Sequence, residues 1–161
     1  MVISLHERTQ AHVRVYFQAT QDEQIRQMLP SAAGTVEDAL AMFHQSQQPG
    51  AASFGRTIYA DGRYVGDVWC YGIQHEEEPD AMLSYCIFDK ALWGKGVATE
   101  AVRLFMAEAG ERFGLRSMGA FAYADNAASL RVLEKNGFRQ VETFEEDGRL
   151  SAYWETDLGE G

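Results

Sequence analysis

A mixed α/β sheet, predominantly antiparallel and flanked by helices, is the fold class this chain predicts. Its 161 residues, 46% of them hydrophobic, are enough for a single globular domain over residues 1–161 with a substantial core. Strand-like runs rich in Val, Ile, Tyr and Trp are joined at Asp-Gly pairs, which favour tight hairpin turns. Amphipathic helical stretches alternate with further strands in the second half, so helices must layer onto the sheet.

Val2–Leu5 reads as a short strand. Thr9–Ala19 and Asp22–Met28 read as two helical pieces, stopped by Pro30, which has no N–H to donate. Thr35 is the expected N-cap of a helix through about Gln47, with Ala39, Leu40 and Phe43 on one side. Phe54–Ala60, the turn Asp61-Gly62 and Tyr64–Ile73 give a β-hairpin signal. The polar stretch His75-Glu76-Glu77-Glu78-Pro79-Asp80 reads as a solvated hairpin loop before the strand Ala81–Phe88.

Lys95–Ala109 is the clearest helix: Val97, Ala101 and Phe105, with Ala98, Val102 and Met106, form one apolar stripe. Leu115–Ala124 returns to strand. Asn126 caps a helix through Asn136, which Gly137 ends as a left-handed residue. Phe138–Glu145 and Arg149–Thr156 close the chain around Asp147-Gly148. The resulting order is β, α, α, β, β, β, α, β, α, β, β.

With 14 Lys+Arg against 24 Asp+Glu, the formal net charge is -10. That argues against a nucleic-acid binder, which needs clustered positive charge to displace phosphate counterions. It favours cationic partners through a long-range, salt-screened bias. No apolar run approaches the roughly 18–20 residues of a membrane span, and the first eight residues lack the pattern of a signal peptide. Cys70 and Cys86 fit no disulfide framework, and the four histidines show no ligand spacing, so neither a metal site nor an oxidising compartment is expected. A cytoplasmic protein, monomeric or homodimeric, is the natural reading.

The segment Leu92-Trp93-Gly94-Lys95-Gly96-Val97-Ala98-Thr99 carries the most chemistry. A glycine turn opening an amphipathic helix aims consecutive backbone N–H groups at one place and lets an anion approach closely. The spacing is not that of a Walker A loop, and Thr99 stands where a dinucleotide fingerprint has its third glycine.

Trp93-Gly94-Lys95-Gly96-Val97-Ala98, with Asn126-Ala127-Ala128-Ser129 and Lys135-Asn136-Gly137-Phe138, resembles the GCN5-related N-acetyltransferase (GNAT) superfamily. Trp93 stands where the family loop has Gln or Arg. That departure, with Asn126-x-x-Ser129, is similar to the branch of ribosomal-protein alanine N-acetyltransferases. The resemblance implies the acyl-CoA N-acyltransferase fold and an acetyl-CoA co-substrate between the strands Ala81–Phe88 and Leu115–Ala124. Its pantetheine would pair with the backbone edge of Tyr85, Cys86 and Ile87. Its pyrophosphate would sit on the N–H groups of Gly94, Lys95, Gly96, Val97, Ala98 and Thr99. Asn126 would hold the pantetheine arm as well as cap its helix, and the Ser129 hydroxyl would meet the CoA sulfur.

Many superfamily members carry a tyrosine acid four residues before the Gly-Phe pair; here that residue is Leu133, which cannot donate a proton. Ser129 then becomes a leaving-group stabiliser. The resemblance points to a base near the last hairpin, where Glu145 and Glu146 are the candidates, with Asp67 as another. The implied activity is acetyl transfer to a primary amine by direct attack, with a protein N-terminal α-amine as the branch's acceptor. Polyamines, aminoglycosides and other small amines are alternatives within the class, and a non-catalytic acyl-CoA-binding module is the alternative outside it.

Overall fold

Seven strands make one sheet in the order β1-β2-β3-β4-β5-β7-β6. The structure, a computed structural model, describes residues 1–29, 34–74 and 78–158. The expected stop at Pro30 and the His75-Glu76-Glu77 part of the polar loop lie outside the described residues.

β1 (Ile3–His6) leads into α1 (Gln10–Ala19), the single turn α2 (Glu23–Arg26) and α3 (Val36–Ser46). Each of the three helical stretches read before the hairpin is present, so three helices precede β2, where the sequence-derived order counted two. The side chains of Thr9, Asp22 and Thr35 each cap a helix by accepting a backbone N–H three residues on, so each helix starts where a short polar side chain competes for the backbone. β2 (Phe54–Ala60) and β3 (Arg63–Tyr71) form the expected hairpin, with Asp61 and Gly62 both at positive φ. β4 (Asp80–Ile87) follows.

α4 (Val97–Phe113) begins two residues later than expected and runs four further. Gly96 and Gly114 are left-handed and bound it at both ends, a conformation glycine adopts without a Cβ penalty. The expected stripe is its buried face: Val97, Ala101, Val102 and Phe105 are buried, while Ala98 and Met106 pack at the margin. β5 (Ser117–Tyr123), α5 (Ala127–Lys135), β6 (Arg139–Glu146) and β7 (Arg149–Asp157) complete the chain.

One sheet face packs Ile58, Val68, Leu83, Met118 and Ala120 against α4, with α5 beside it. The other face carries Asp67 and Trp69 of β3 towards α1, whose Tyr16 ring meets Trp69 edge-on at 6.1 Å. β4 and β5, the one parallel pair, are bonded only along Asp80–Leu83 and Ser117–Ala120. Beyond those four rungs β4 continues to Ile87 and β5 to Tyr123 without pairing to each other. A seam thus opens in the middle of the sheet, with a free backbone edge on β4. No helix among the described residues is long and apolar enough to cross a membrane.

Candidate functional site

The seam opens towards the turn that starts α4. Gly94 (φ 77°) and Gly96 (φ 81°) are both left-handed, and a Cβ added at either would meet nothing within 4 Å. Gly96 caps α4 without a side-chain bond, and the first intrahelical donor is the N–H of Glu100, bonded to the Gly96 carbonyl. The N–H groups of Val97, Ala98 and Thr99 therefore point out of the helix with no intrahelical acceptor, at its positive end. Lys95 is exposed and ion-paired to nothing among the described residues. Open space, convergent donors and an unpaired cation fit a pyrophosphate.

Trp93 explains its own departure from the family loop. Its indole N–H donates to the Ile87 carbonyl at 2.7 Å, tying the turn to the end of β4. Of the three edge residues Tyr85, Cys86 and Ile87, the last thus has its carbonyl engaged by the loop as well as lining the seam.

Across the seam, Asn126 caps α5 with its Oδ1, which accepts the Ser129 N–H at 3.2 Å. The cap uses the oxygen alone among the described residues, so the side-chain amide remains free to donate. Asn136, at the other end of α5, donates to the Thr99 carbonyl at 3.2 Å and locks α5 against the first turn of α4. This gives the Lys135-Asn136-Gly137-Phe138 segment a physical task, with Gly137 left-handed (φ 86°) as expected.

Ser129 is not an isolated helical serine. Its Oγ lies 2.8 Å from the Tyr85 hydroxyl, which also reaches the Ser129 carbonyl at 3.2 Å. Burial pushes the Tyr85 phenol up to about 12, with the Ser129 bond opposing that shift, so the phenol stays protonated. Either hydroxyl can donate in this pair: with the Tyr85 proton on the Ser129 carbonyl the serine donates to the phenol oxygen, and with the Tyr85 proton on Oγ the serine proton is released. The sequence reading missed this pair, because it treated Tyr85 as backbone alone and the two residues are 44 apart in the chain. Leu133 is 1% exposed and belongs to the core, so that position has a packing role here.

The remaining candidates divide by sheet face. Cys86 alternates with Tyr85 and is buried on the α1 side, beside Tyr16. Glu145 alternates with Phe144, whose ring meets Phe121 on the α1-side face, so Glu145 is on the opposite face. Glu145 and Glu146 are both exposed, and the hydrogen bonds of Ser129 among the described residues, beyond the α5 backbone ladder, run to Tyr85 and Asn126. Asp67, in contrast, is 1% exposed. No group of three His, Cys, Asp or Glu among the described residues could hold a metal ion.

The family model described as "Acetyltransferase (GNAT) domain" matches residues 3–139. The chain is 34% identical over 102 residues to the probable N-acetyltransferase YjcK of Bacillus subtilis (strain 168). That match covers 63% of this chain and 56% of that protein, so the chain spans little more than half the relative's length. Among solved structures, RimL, a ribosomal α-N-protein acetyltransferase in complex with coenzyme A, superposes with TM-score 0.85 at 16% identity, covering 100% of this chain and 97% of that one. A Vibrio cholerae spermidine N-acetyltransferase in complex with CoA and spermine also reaches 0.85, at 13% identity, covering 98% and 96%. At such identities these two show a shared fold.

Proposed function

Starting from the chain's membership of the acetyltransferase (GNAT) domain family, we propose that it moves the acetyl group of acetyl-CoA to a primary amine by direct attack, with a protein N-terminal α-amine as acceptor. The observation that carries this reading is the α4 turn, with its unbonded N–H groups and open space at Gly94 and Gly96, placed at the mouth of the β4–β5 seam. The pyrophosphate rests on Gly96, Val97, Ala98 and Thr99, with Lys95 adding charge. The pantetheine arm runs along the β4 edge at Tyr85, Cys86 and Ile87, and Asn126 donates to it from the far wall.

That path brings the thioester to Ser129. As the carbon–sulfur bond breaks, charge collects on sulfur, and the Ser129 hydroxyl turns its proton to it while Tyr85, 2.8 Å away, donates to Oγ in exchange. The thiolate is a good leaving group, with a thiol pKa of about 8.5 by analogy with cysteine, so a hydrogen bond suffices. Binding both reactants in one seam supplies most of the remaining rate.

The acceptor assignment rests on Trp93 and Asn126-x-x-Ser129, and on acid–base chemistry. An α-amine titrates at about 7.7–8.0, so a useful fraction is neutral at pH 7, unlike a lysine amine at about 10.4. The test mixes the protein and acetyl-CoA with an alanine-terminated peptide, spermidine or kanamycin and follows free thiol. Amine-dependent release with the peptide preferred is the expected result. Preference for spermidine or kanamycin would move the acceptor class, and saturable acetyl-CoA binding without turnover would make the chain a binding module.

A further inference from the structure

Four buried side-chain polar atoms among the described residues have no hydrogen-bond partner: Arg8 Nε, the Tyr16 hydroxyl, Asp67 Oδ2 and Trp154 Nε1. Three of them converge. Arg8 approaches Asp67 Oδ2 as an ion pair at 3.0 Å, and its guanidinium lies 5.5 Å from the centre of the Tyr16 ring. Asp67 Oδ1 accepts from the Tyr64 hydroxyl at 2.6 Å, and Oδ2, ion-paired to Arg8, keeps a second lone pair for a further donor. Leaving buried polar atoms unpaired is costly, so a cluster of them marks a place for water or a polar ligand.

The position of this cluster gives it a task. Asp67 pairs across the ladder with Cys86, so the two side chains stand side by side on the α1 face, at the level of the free β4 edge. Tyr85 and Ser129 occupy the other face at the same level. We infer that the α1-side cluster is the proton-accepting half of the site: water held by Arg8 Nε, the Tyr16 hydroxyl and Asp67 Oδ2 carries the proton of the attacking amine to the Asp67 carboxylate.

The inference rests on the acetyl transfer proposed above. The amine lone pair forms the carbon–nitrogen bond, the carbon–sulfur bond breaks, and its electron pair leaves on sulfur at the Ser129 face. The proton shed by nitrogen passes through water to Asp67 Oδ2 on the opposite face, and returns to solvent once the product has left. Proton and electron pair thus depart through different walls of the seam.

The groups facing Asp67 are Arg8 ahead of α1, Tyr16 on α1, Tyr64 on β3 and Cys86 on β4, with His12 and Tyr59 packed behind the Tyr64 ring. Burial raises its carboxyl to about 6 against the pull of Arg8 and the Tyr64 bond, so it is ionised at neutral pH yet accepts a proton readily. Burial also lowers His12, whose ring bonds the Tyr59 hydroxyl at 2.8 Å, and holds it neutral.

Tyr16→Phe is the sharper variant, because it removes a hydroxyl whose protein neighbour is the Cys86 thiol, a weak partner, and keeps the ring packing. Asp67→Asn removes the acceptor itself. Both are assayed for melting temperature, acetyl-CoA affinity and thiol release with the peptide, spermidine, kanamycin and hydroxylamine. The expected result is an unchanged acetyl-CoA dissociation constant and a loss of at least tenfold with the accepted alkylamine. Hydroxylamine, whose adduct sheds its proton to water, should lose less than threefold. Expressed per neutral amine, which removes the acceptor's own titration, wild-type kcat/KM should fall as the pH drops through about 6, a limb that Asp67→Asn lacks and Arg8→Gln moves upward. Full alkylamine turnover by a folded Tyr16→Phe together with an unshifted acid limb in Arg8→Gln overturns the inference. If Asp67→Asn fails to fold, those two variants decide. Wild-type protein that binds acetyl-CoA but transfers to no amine removes the transferase reading instead, and this inference with it.

Discussion

Ser129 and Tyr85 illustrate how a single hydroxyl can be given a direction. Ser129→Ala removes the proton that faces sulfur while slightly improving helix propensity in the first turn of α5, so stability should barely change. On the proposed mechanism the hydroxyl acts in the transition state, so turnover should fall roughly tenfold to a hundredfold, about 1.4–2.7 kcal/mol, with the acetyl-CoA dissociation constant unchanged. Tyr85→Phe should reproduce part of that loss, because Ser129 remains but loses the hydroxyl that exchanges protons with it. Single-turnover thiol release on both variants and on the double variant measures the coupling: losses that simply multiply would separate Tyr85 from Ser129. Residue identity was legible wherever local spacing carries the meaning, as at Gly94, Gly96 and Asn126. Tyr85 was read for its backbone alone, Asp67 only as one candidate base among three, and Arg8 not at all, because their side-chain partners arrive from other elements.

At the scale of the elements, the two helix starts that flank the seam were readable because caps are local. Asn126 was expected as an N-cap and is one; α4 began later than expected because left-handed Gly96 cannot be its first helical residue. Gly96→Glu should place charge at the proposed pyrophosphate site and weaken acetyl-CoA binding more than tenfold, at least about 1.4 kcal/mol. Gly96→Ala shares the cost of a positive φ without the charge, so calorimetry on the pair separates strain from repulsion. Both should fold, since nothing lies within 4 Å of a Cβ there. Asn126→Asp retains a capping oxygen but loses the free amide donor. Its melting temperature should match the parent while acetyl-CoA binding weakens; unchanged binding would confine Asn126 to capping. The length of the β4–β5 pairing had no local signature, because register between strands 30 or more residues apart is settled by the core they share.

For the whole molecule, the sequence foretold an α/β sheet layered by helices. It did not foretell a polar cluster pinned between the N-terminal segment and the centre of that sheet. Hydrophobic periodicity reports which face of an element is buried and is silent on a carboxylate within it: Asp67 interrupts the apolar run Val65-Gly66-Asp67-Val68. The cluster nevertheless shapes the stability of the entire fold. Burial raises the Asp67 carboxyl from 3.8 to about 6, so the folded chain holds this proton more tightly than the unfolded chain does. A raised carboxyl stabilises the fold fully below the unfolded value and loses that contribution as pH rises through the folded one. The difference corresponds to about 3 kcal/mol from this one group. Other carboxylates bend the total curve the other way; Asp22, for one, is lowered by its bond to Lys90. The isolating comparison is therefore Asp67→Asn, which cannot titrate. Denaturant unfolding of both proteins should show the wild type losing stability relative to Asp67→Asn between about pH 4 and pH 7, and holding a constant difference above that. Parallel curves across the whole range would mean that Asp67 titrates with an ordinary carboxylate pKa, held down by Arg8 and Tyr64 more strongly than burial holds it up.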